Sequence, residues 1–404
     1  MNRFTKVLFI VLLAELALGG GGRLTAIGPI SLRMILFALA LATAAIHFIK
    51  GKRIASDYAG LLLFFSIVAA VGLLLGISSG ASRAFWWEDI KPLLYFLILP
   101  FFSLAITDAA TIERTSIILK ASGVIQALAF FALLLLIHLH VVPFLSLYRV
   151  FIRTEEFFFR GELTFTYKGF IFLCIGFLFL HFTGGKYKFL LMGFVLIAIL
   201  LTVTRGFWLA LLGTYSIYYF IKSVSSSKVK AVLFALCALA VVIGGKALVG
   251  KVSETIDEVR AENTGTQNSA PKATLLGDRT YSDEGRFEQI KEVTERITFS
   301  SVLVGHGFGN GVPARPVHME VSYLEIFHKQ GLLGLAFWAF LFWLLLKKYR
   351  SAPESGLRNA LFFSALFIFL QSLTNQYINN PIGLSMILLS IVCLDVLKKP
   401  INLK

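Results

Sequence analysis

Apolar runs of about 17 to 25 residues recur along nearly the whole sequence, and no other feature restricts the fold of this chain as strongly. An α-helix needs a run of that length to cross the hydrocarbon core of a bilayer. The 404 residues are 57% hydrophobic and 15% charged, whereas soluble domains carry roughly 25% charged residues. The runs are continuous rather than alternating, which favours helices over a transmembrane barrel. The sequence therefore predicts an all-α polytopic membrane protein.

The runs predict about twelve transmembrane helices, with a long loop between the ninth and the tenth. The expected spans are 5–20, 30–49, 58–79, 91–107, 117–141, 167–183, 187–204, 206–222, 229–249, 330–347, 358–375 and 380–397. On this reading, residues 1–249 hold helices one to nine, residues 250–329 form the large loop, and residues 330–404 hold helices ten to twelve. All three parts belong to one integral membrane domain.

The basic residues predict the orientation of the chain. If the N-terminus lies in the cytoplasm, nearly every inside connection is short and basic, as the positive-inside bias requires. The inside set is then Arg3, Lys6, Lys50, Lys52, Arg53, Arg114, Lys186, Lys188, Lys222, Lys228, Lys230, Lys347, Lys348, Arg350, Lys398 and Lys399. We therefore expect both termini in the cytoplasm, with 142–166 and 250–329 as long outer loops.

The longest polar interval of the chain, Tyr281–Gly334, lies in the second of these loops. Apolar residues from Phe287 to Ile297 recur at helical spacing, which predicts an amphipathic helix over 284–298 at the membrane surface. The glycine run from Gly305 to Gly311 lacks the Gly-Lys-Ser/Thr ending of a phosphate loop, so we expect a tight turn. The chain shows neither metal-site spacing nor a nucleic-acid motif, and we expect no metal, no cofactor and no nucleic acid.

Three outer arginines are candidates for binding an anionic substrate. Arg205 lies between two apolar runs that are joined by almost no loop, where a charge is costly and therefore suspect as functional. Arg286 opens the amphipathic segment, and Arg160 lies in the 142–166 loop. Guanidinium groups bind phosphate oxygens through planar, forked donors, and two of them can neutralise a diphosphate without a metal.

A second group of candidates lies just before the tenth predicted span. Either His318 or Glu320 can act as general base for a hydroxyl, and the residues leave that choice open. If the stretch is helical, one face carries residues spaced three and four apart: Glu320, Tyr323, Leu324 and Phe327. This shared face makes Tyr323 a candidate substrate contact.

Three segments, in this order, resemble motifs of the bacterial O-antigen polymerase and O-antigen ligase superfamily (Wzy/WaaL-like membrane glycosyltransferases). The first is Thr204-Arg-Gly-Phe-Trp208, similar to the Ser-Arg-Gly segment at a span start. The second joins an arginine-bearing helix at Arg286 to the glycine turn ending at Asn310. The third is Ser322-Tyr-Leu-Glu-Ile326, followed by a Gly-x-x-Gly span that begins at Gly331.

The resemblance implies a metal-independent enzyme in the bacterial inner membrane, with its active site facing the periplasm. The donor would be an oligosaccharide on undecaprenyl diphosphate, and the acceptor a sugar hydroxyl of a second lipid-linked repeat unit. Arg205 and Arg286 would hold the diphosphate, with assistance from Arg160, and Glu320 or His318 would accept the hydroxyl proton. Membrane lipid and other polysaccharide-assembly membrane proteins are the further partners that it implies.

Two alternatives accompany this interpretation. Counting back from Gly331, the position of the ligase histidine falls on Glu320, which favours a polymerase over a ligase that moves the glycan to lipid A-core. The alternative of another class is a flippase or secondary transporter without catalysis. Against it, Glu15 is the one acidic residue in the middle of a predicted span, and no pair of Pro/Gly-broken helices is evident.

Overall fold

A computed structural model describes residues 3–28, 30–160, 163–224 and 277–398. The predicted span 229–249 and the first part of the large loop lie outside these ranges. Within them the chain is mostly helical. The helices are α1 Arg3–Leu18, α2 Leu32–Ile49, α3 Ser56–Ser78, α4 Arg83–Leu93, α5 Leu99–Ala105, α6 Ala109–His138, α7 Phe144–Ile152, α8 Ile171–Thr183, α9 Lys188–Leu201, α10 Arg205–Val224, α11 Gly277–Glu295, α12 Phe299–Val304, α13 Ser322–Ser351, α14 Gly356–Gln371 and α15 Pro381–Leu397.

The all-α prediction needs one correction, because the described chain also contains two short antiparallel strand pairs. Strands β1 (Ala26–Ile27) and β2 (Ile30–Ser31) form the smaller pair. Strands β3 (Phe157–Arg160) and β4 (Thr164–Tyr167) form a hairpin within the predicted 142–166 loop. Aromatic and β-branched residues fit a pleated, half-buried surface, and this hairpin consists mostly of them.

Four of the described helices are long and apolar enough to cross a bilayer, namely α2, α3, α6 and α13. Helices α8, α9, α14 and α15 are apolar but shorter, so the count of twelve spans is not confirmed. The predicted span 91–107 is broken: α4 is followed by a 3₁₀ turn over Leu94–Ile98 and then by α5. Pro92 removes a backbone N–H from within α4, and Pro100 lies in the first turn of α5, a position that suits the start of a new helix. The predicted span 330–347 lies within α13, which runs from Ser322 to Ser351 and is broken at Gly331.

The helices have two distinct ends. At the lysine end, Lys6 of α1 lies 3.1 Å from Asp108 at the start of α6, and Lys348 of α13 joins carboxylates of α3 and α15. At the other end, here called the site end, α10 begins with Arg205 and α13 begins just after Glu320. Lys6 and Lys348, both predicted to be cytoplasmic, thus lie at the same end of the helices. Which end faces the cytoplasm stays a prediction.

Helix α13 contains a break that receives the glycine turn. Gly331 has φ +61° and ψ −155°, so the backbone carbonyls before it point away from the helix. The His328 and Lys329 carbonyls accept hydrogen bonds from the backbone N–H groups of His306 (2.8 Å) and Gly307 (3.0 Å). A side chain at Gly331 would collide with the backbone at Gly305, so both positions require glycine. The predicted tight turn is confirmed, and it locks α13 to the segment before it.

Candidate active site

Helix α11 confirms the helix predicted over 284–298, although it begins earlier and ends at Glu295. Among residues 285–295 of this helix, the buried side chains are Gln289 and Val293. Val293 belongs to the predicted apolar pattern, whereas Phe287 and Ile290 of the same pattern are 72% and 45% exposed. An exposed apolar stripe beside a half-buried polar face is the arrangement expected of a helix lying at a membrane surface. Gln289 and Val293 therefore point toward the rest of the protein, whereas Phe287 and Ile290 point outward.

Glu320 joins the polar face of α11 to the loop before α13. One carboxylate oxygen accepts a hydrogen bond from Arg286 Nε at 2.9 Å, and the other accepts from Arg315 Nη2 at 2.7 Å. The backbone N–H of Glu320 donates to the Gln289 side chain at 3.0 Å. Two candidates that were predicted separately, Arg286 and Glu320, are thus direct partners. Both Glu320 oxygens are engaged by guanidinium groups.

His318 lies over a buried group of charged side chains. Lys329 Nζ is 2.7 Å from Asp89 Oδ1 and 2.7 Å from Glu325 Oε1, and it also donates to the backbone carbonyl of Val317. The side chains of these three charged residues are at most 5% exposed. His318 Nδ1 is 3.5 Å from each of the same two carboxylate oxygens, whereas the His318 side chain is 40% exposed. One ring edge therefore faces buried carboxylates while the ring remains accessible.

Asp89, His318 and Glu325 also form the one group of potential metal ligands found among the described residues. Their ligand atoms lie within 4.8 Å of one another. The ammonium group of Lys329 already contacts both carboxylates at 2.7 Å. A cation placed between the carboxylates would lie against this positive charge. The arrangement therefore suits an internal lysine better than a metal ion, and the absence of a metal stays a prediction.

The glycine turn holds Asp89 in this group. The backbone N–H of Gly309 donates to Asp89 Oδ2 at 2.7 Å. The turn is fixed to α3 by the N–H of Phe308, which donates to the Gly72 carbonyl at 2.8 Å. His306 also stands in this turn, where partial burial lowers the pKa of its imidazole. The glycine turn therefore has a structural role, which the sequence pattern alone did not reveal.

Amide side chains from the segment after α14 complete the surroundings of Glu325. Gln376 Nε2 and Asn379 Nδ2 donate to Glu325 Oε2 at 2.9 and 2.7 Å. The Ser322 hydroxyl lies 2.9 Å from the Asn375 carbonyl and 3.1 Å from Asn379 Oδ1. These contacts tie the first turn of α13 to the α14–α15 connection.

The same connection packs against the start of α10, at the residue after Arg205. A Cβ atom at Gly206 would lie 2.7 Å from Thr374 Oγ1 and 2.9 Å from Asn375 Nδ2, so the start of α10 packs directly on this segment. Arg160 donates to the backbone carbonyl of Val203, two residues before Arg205. The structure therefore places both arginines around one turn at the site end.

The prediction of a face shared by Glu320, Tyr323, Leu324 and Phe327 is wrong. Glu320 precedes the helix, because α13 begins at Ser322. Leu324 and Phe327 pack against the small cluster of Val293, Val312 and Met319. Tyr323 packs against the main core instead, and its hydroxyl donates to the Phe369 carbonyl at 3.0 Å. In this structure the Tyr323 hydroxyl ties α13 to α14 rather than facing Glu320.

Sequence reasoning missed Asp89 and Lys329, and it quoted Glu325 only as part of a motif. A usable signal was present for two of them: Glu325 and Lys329 are spaced i, i+4 in the first turns of a long apolar helix. Charges on such a helix are expensive unless they are paired. Asp89 lies 240 residues from Lys329, and no local pattern links the two.

The sequence comparisons agree with the resemblance drawn from the motifs. No family model matches the sequence. The chain is similar to a protein named O-antigen polymerase from Shigella flexneri, with 25% identity over 400 residues. The resemblance is confirmed. The similarity covers 96% of this chain and 94% of that relative, so it reaches well beyond the three motif segments.

Proposed function

We propose that this chain is an O-antigen polymerase, which joins lipid-linked glycan repeat units at the membrane surface. The observation that carries the proposal is the similarity to the Shigella flexneri polymerase over nearly the full length of both chains. The site geometry supports it, because arginines, a histidine and amide side chains meet at one end of the apolar helices. The donor is a glycan on undecaprenyl diphosphate, and the acceptor is a sugar hydroxyl of a second repeat unit.

The geometry favours His318 over Glu320 as the general base. Glu320 already accepts hydrogen bonds from two guanidinium groups, at 2.9 and 2.7 Å. His318 is 40% exposed, and its Nδ1 faces two buried carboxylate oxygens at 3.5 Å. A carboxylate behind one ring nitrogen orients the imidazole and stabilises the imidazolium that forms when the other nitrogen takes a proton. Asp89 and Glu325 supply that carboxylate.

The arginines serve the leaving group in this proposal. Arg205 and Arg286 bind the diphosphate, and Arg160 assists from the hairpin that packs beside the start of α10. The Glu320 carboxylate accepts a hydrogen bond from Arg286 Nε and so holds the Arg286 guanidinium in place. Guanidinium groups that are already oriented stabilise the charge that develops on the diphosphate in the transition state.

The reaction then balances without a metal or cofactor. The acceptor hydroxyl oxygen attacks the anomeric carbon of the donor sugar, and its proton passes to His318. The bond between that carbon and the diphosphate oxygen breaks, and undecaprenyl diphosphate leaves as an anion. The proton on His318 returns to solvent or to the departing diphosphate, which regenerates the base.

Chain extension by the purified full-length protein tests this proposal. Reconstituted protein supplied with lipid-linked repeat units is expected to form longer glycans, and EDTA is expected to leave the rate unchanged. Arg205→Ala and Arg286→Ala should each reduce the rate about 10²- to 10³-fold, the range typical for a lost transition-state donor. Arg350→Ala, an exposed residue at the lysine end, serves as the matched control.

Three results would contradict the proposal. Normal extension by both Arg205→Ala and Arg286→Ala would show that the proposed site is wrong. Transfer only to lipid A-core would identify a ligase, and lipid-linked glycan flux without bond formation would identify a flippase.

A further inference from the structure

The connection between α14 and α15 is unusually rich in amide and hydroxyl side chains. The sequence Gln371-Ser-Leu-Thr-Asn-Gln-Tyr-Ile-Asn-Asn380 follows a helix that is otherwise apolar. Residues 374–377 and 379–380 are half-buried, so they stand at the surface of the site end rather than in bulk solvent. The proposed reaction assigns none of them a role.

This connection joins the two halves of the proposed site. At one side, a Cβ atom at Gly206 would lie 2.7 to 2.9 Å from polar atoms of Thr374, Gln371 and Asn375. At the other side, Gln376 and Asn379 donate to Glu325, whose second oxygen is 3.5 Å from His318 Nδ1. The connection therefore lies between the arginine that binds the leaving group and the proposed base. The reacting sugar must occupy that same interval.

Gln371 gives an independent indication that a ligand binds here. Its side chain is fully buried, and neither its amide nitrogen nor its amide oxygen has a hydrogen-bond partner among the described residues. A buried amide without partners costs stability. Its amide nitrogen would be 2.8 Å from a Cβ atom at Gly206, directly beside Arg205.

We propose that Gln371, Thr374, Asn375 and Gln376 form a subsite for the hydroxyl groups of the donor sugar nearest the diphosphate. The inference rests on the proposed function, because it assumes a diphosphate at Arg205. An amide offers two donors and one acceptor, and it therefore matches a sugar hydroxyl, which both donates and accepts. Such a subsite discriminates strongly against a ligand without hydroxyl groups, because its polar atoms are then left unpaired.

Binding of two lipids separates this subsite from the diphosphate site. The purified full-length protein is titrated with undecaprenyl diphosphate that carries the repeat-unit glycan and with undecaprenyl diphosphate alone. Asn375→Ala should weaken binding of the glycan-bearing lipid about three- to tenfold, the range for one lost hydrogen bond, and should leave the bare lipid unaffected. Arg205→Ala should weaken both lipids equally. Asn359→Ala, an amide at the lysine end of α14 that pairs with Tyr349, is the matched control.

Gln371→Leu is a second variant. Its result can be interpreted even if the protein does not tolerate the substitution at Asn375. Removing a buried amide without partners should leave the thermal midpoint unchanged or raise it, because leucine has no polar group to desolvate. The same variant should still bind the glycan-bearing lipid about three- to tenfold more weakly. A merely structural role for Gln371 predicts the opposite pattern, with lower stability and unchanged relative affinity.

The outcomes distinguish the subsite from the wider proposal. Equal weakening of both lipids by Asn375→Ala and Gln371→Leu, or no weakening of either, would overturn the subsite. Selectively weaker binding of the glycan-bearing lipid would support the subsite. This holds even if the wild-type protein did not extend glycans, a result that would overturn the polymerase proposal alone.

Discussion

Two lysines, one at each end of α13, bridge pairs of carboxylates with almost the same geometry. Lys329 lies 2.7 Å from Asp89 of α4 and 2.7 Å from Glu325 of its own helix. Lys348 lies 2.8 Å from Asp57 of α3 and 2.7 Å from Asp395 of α15. Each group carries two acidic side chains and one basic side chain. Charge count and distance alone therefore do not distinguish the proposed active site from the lysine end.

The two charged groups differ in how deeply their side chains are buried and in which accessible side chains lie beside them. The side chains around Lys329 are 2% to 5% exposed, whereas those around Lys348 reach 39% at Asp57. His318 adds an accessible imidazole to the first group, while the Tyr58 hydroxyl donates to Asp395 in the second. At the lysine end the ion pairs join three helices beside solvent. At the site end a similar arrangement lies against a histidine whose side chain is 40% exposed.

The largest expected effect follows from replacing that histidine. His318→Ala should reduce chain extension about 10²- to 10⁴-fold, the contribution typical of a general base. His47→Ala, in the last turn of α2 at the lysine end, should leave the rate unchanged and serves as the control. Glu320→Gln should cost less, because it weakens the support of Arg286 and leaves the base intact. A total loss in Glu320→Gln with normal extension by His318→Ala would reassign the base to Glu320.

Removing the buried lysine should have the largest effect on stability. Lys329→Met leaves Asp89 and Glu325 buried without their shared cation, which typically costs about 3–5 kcal/mol of unfolding free energy. Thermal unfolding in detergent measures the loss. The triple variant Asp89→Asn, Glu325→Gln, Lys329→Met removes every charge and should recover most of the stability but not the activity. An inactive single variant with wild-type stability would show that these charges contribute nothing to the fold.

The equivalent change at the lysine end should have a smaller effect. Lys348→Met should cost about 1–2 kcal/mol, between the ranges for surface and buried pairs, because solvent reaches Asp57 and screens the remaining carboxylates. Its chain extension should match that of the wild type once the protein is folded. The comparison fails if Lys348→Met destabilises the protein as much as Lys329→Met does.

Part of this organisation is predictable from sequence because its physical cause is local. The apolar runs predicted most of the helices, and helical spacing predicted α11. Glycine at 305, 307 and 309 predicted a turn, and all three have positive φ values near +80°. Each signal depends on residues within a few positions of one another, so a single pass along the chain finds it.

The remainder depends on contacts between distant segments. Asp89 meets Lys329 only because the glycine turn brings α4 against the break in α13. The apolar pattern of α11 also did not indicate its contact with the loop before α13, where Gln289 is buried beside Glu320 while Phe287 and Ile290 are exposed. In a soluble protein the apolar stripe would identify the packed face. At a membrane surface, where the sequence predicts this helix, the apolar stripe faces outward, and the pattern does not mark the polar residue that contacts the protein.

The smallest effect concerns the most exposed of these ion pairs, Asp108 with Lys6, whose side chains are 43% and 34% exposed. Asp108 caps α6, and hydrogen bonds from the Thr111 hydroxyl and backbone lower the pKa of its carboxyl. This contribution is complete above its ordinary pKa of 3.8 and is lost as pH falls through the lower folded value. Asp108→Ala should cost about 1 kcal/mol at neutral pH, and its difference from the wild type should vanish in acid.

Asp108→Asn separates the cap from the ion pair in the same experiment. Asparagine caps a helix as well as aspartate does, but it carries no charge for Lys6. Since a solvent-exposed pair contributes little, Asp108→Asn should unfold near the wild-type temperature at neutral pH and should lose the acid dependence. If Asp108→Asn is instead as unstable as Asp108→Ala, the charge outweighs the cap even beside solvent. Exposure would then not explain why the lysine end and the site end differ.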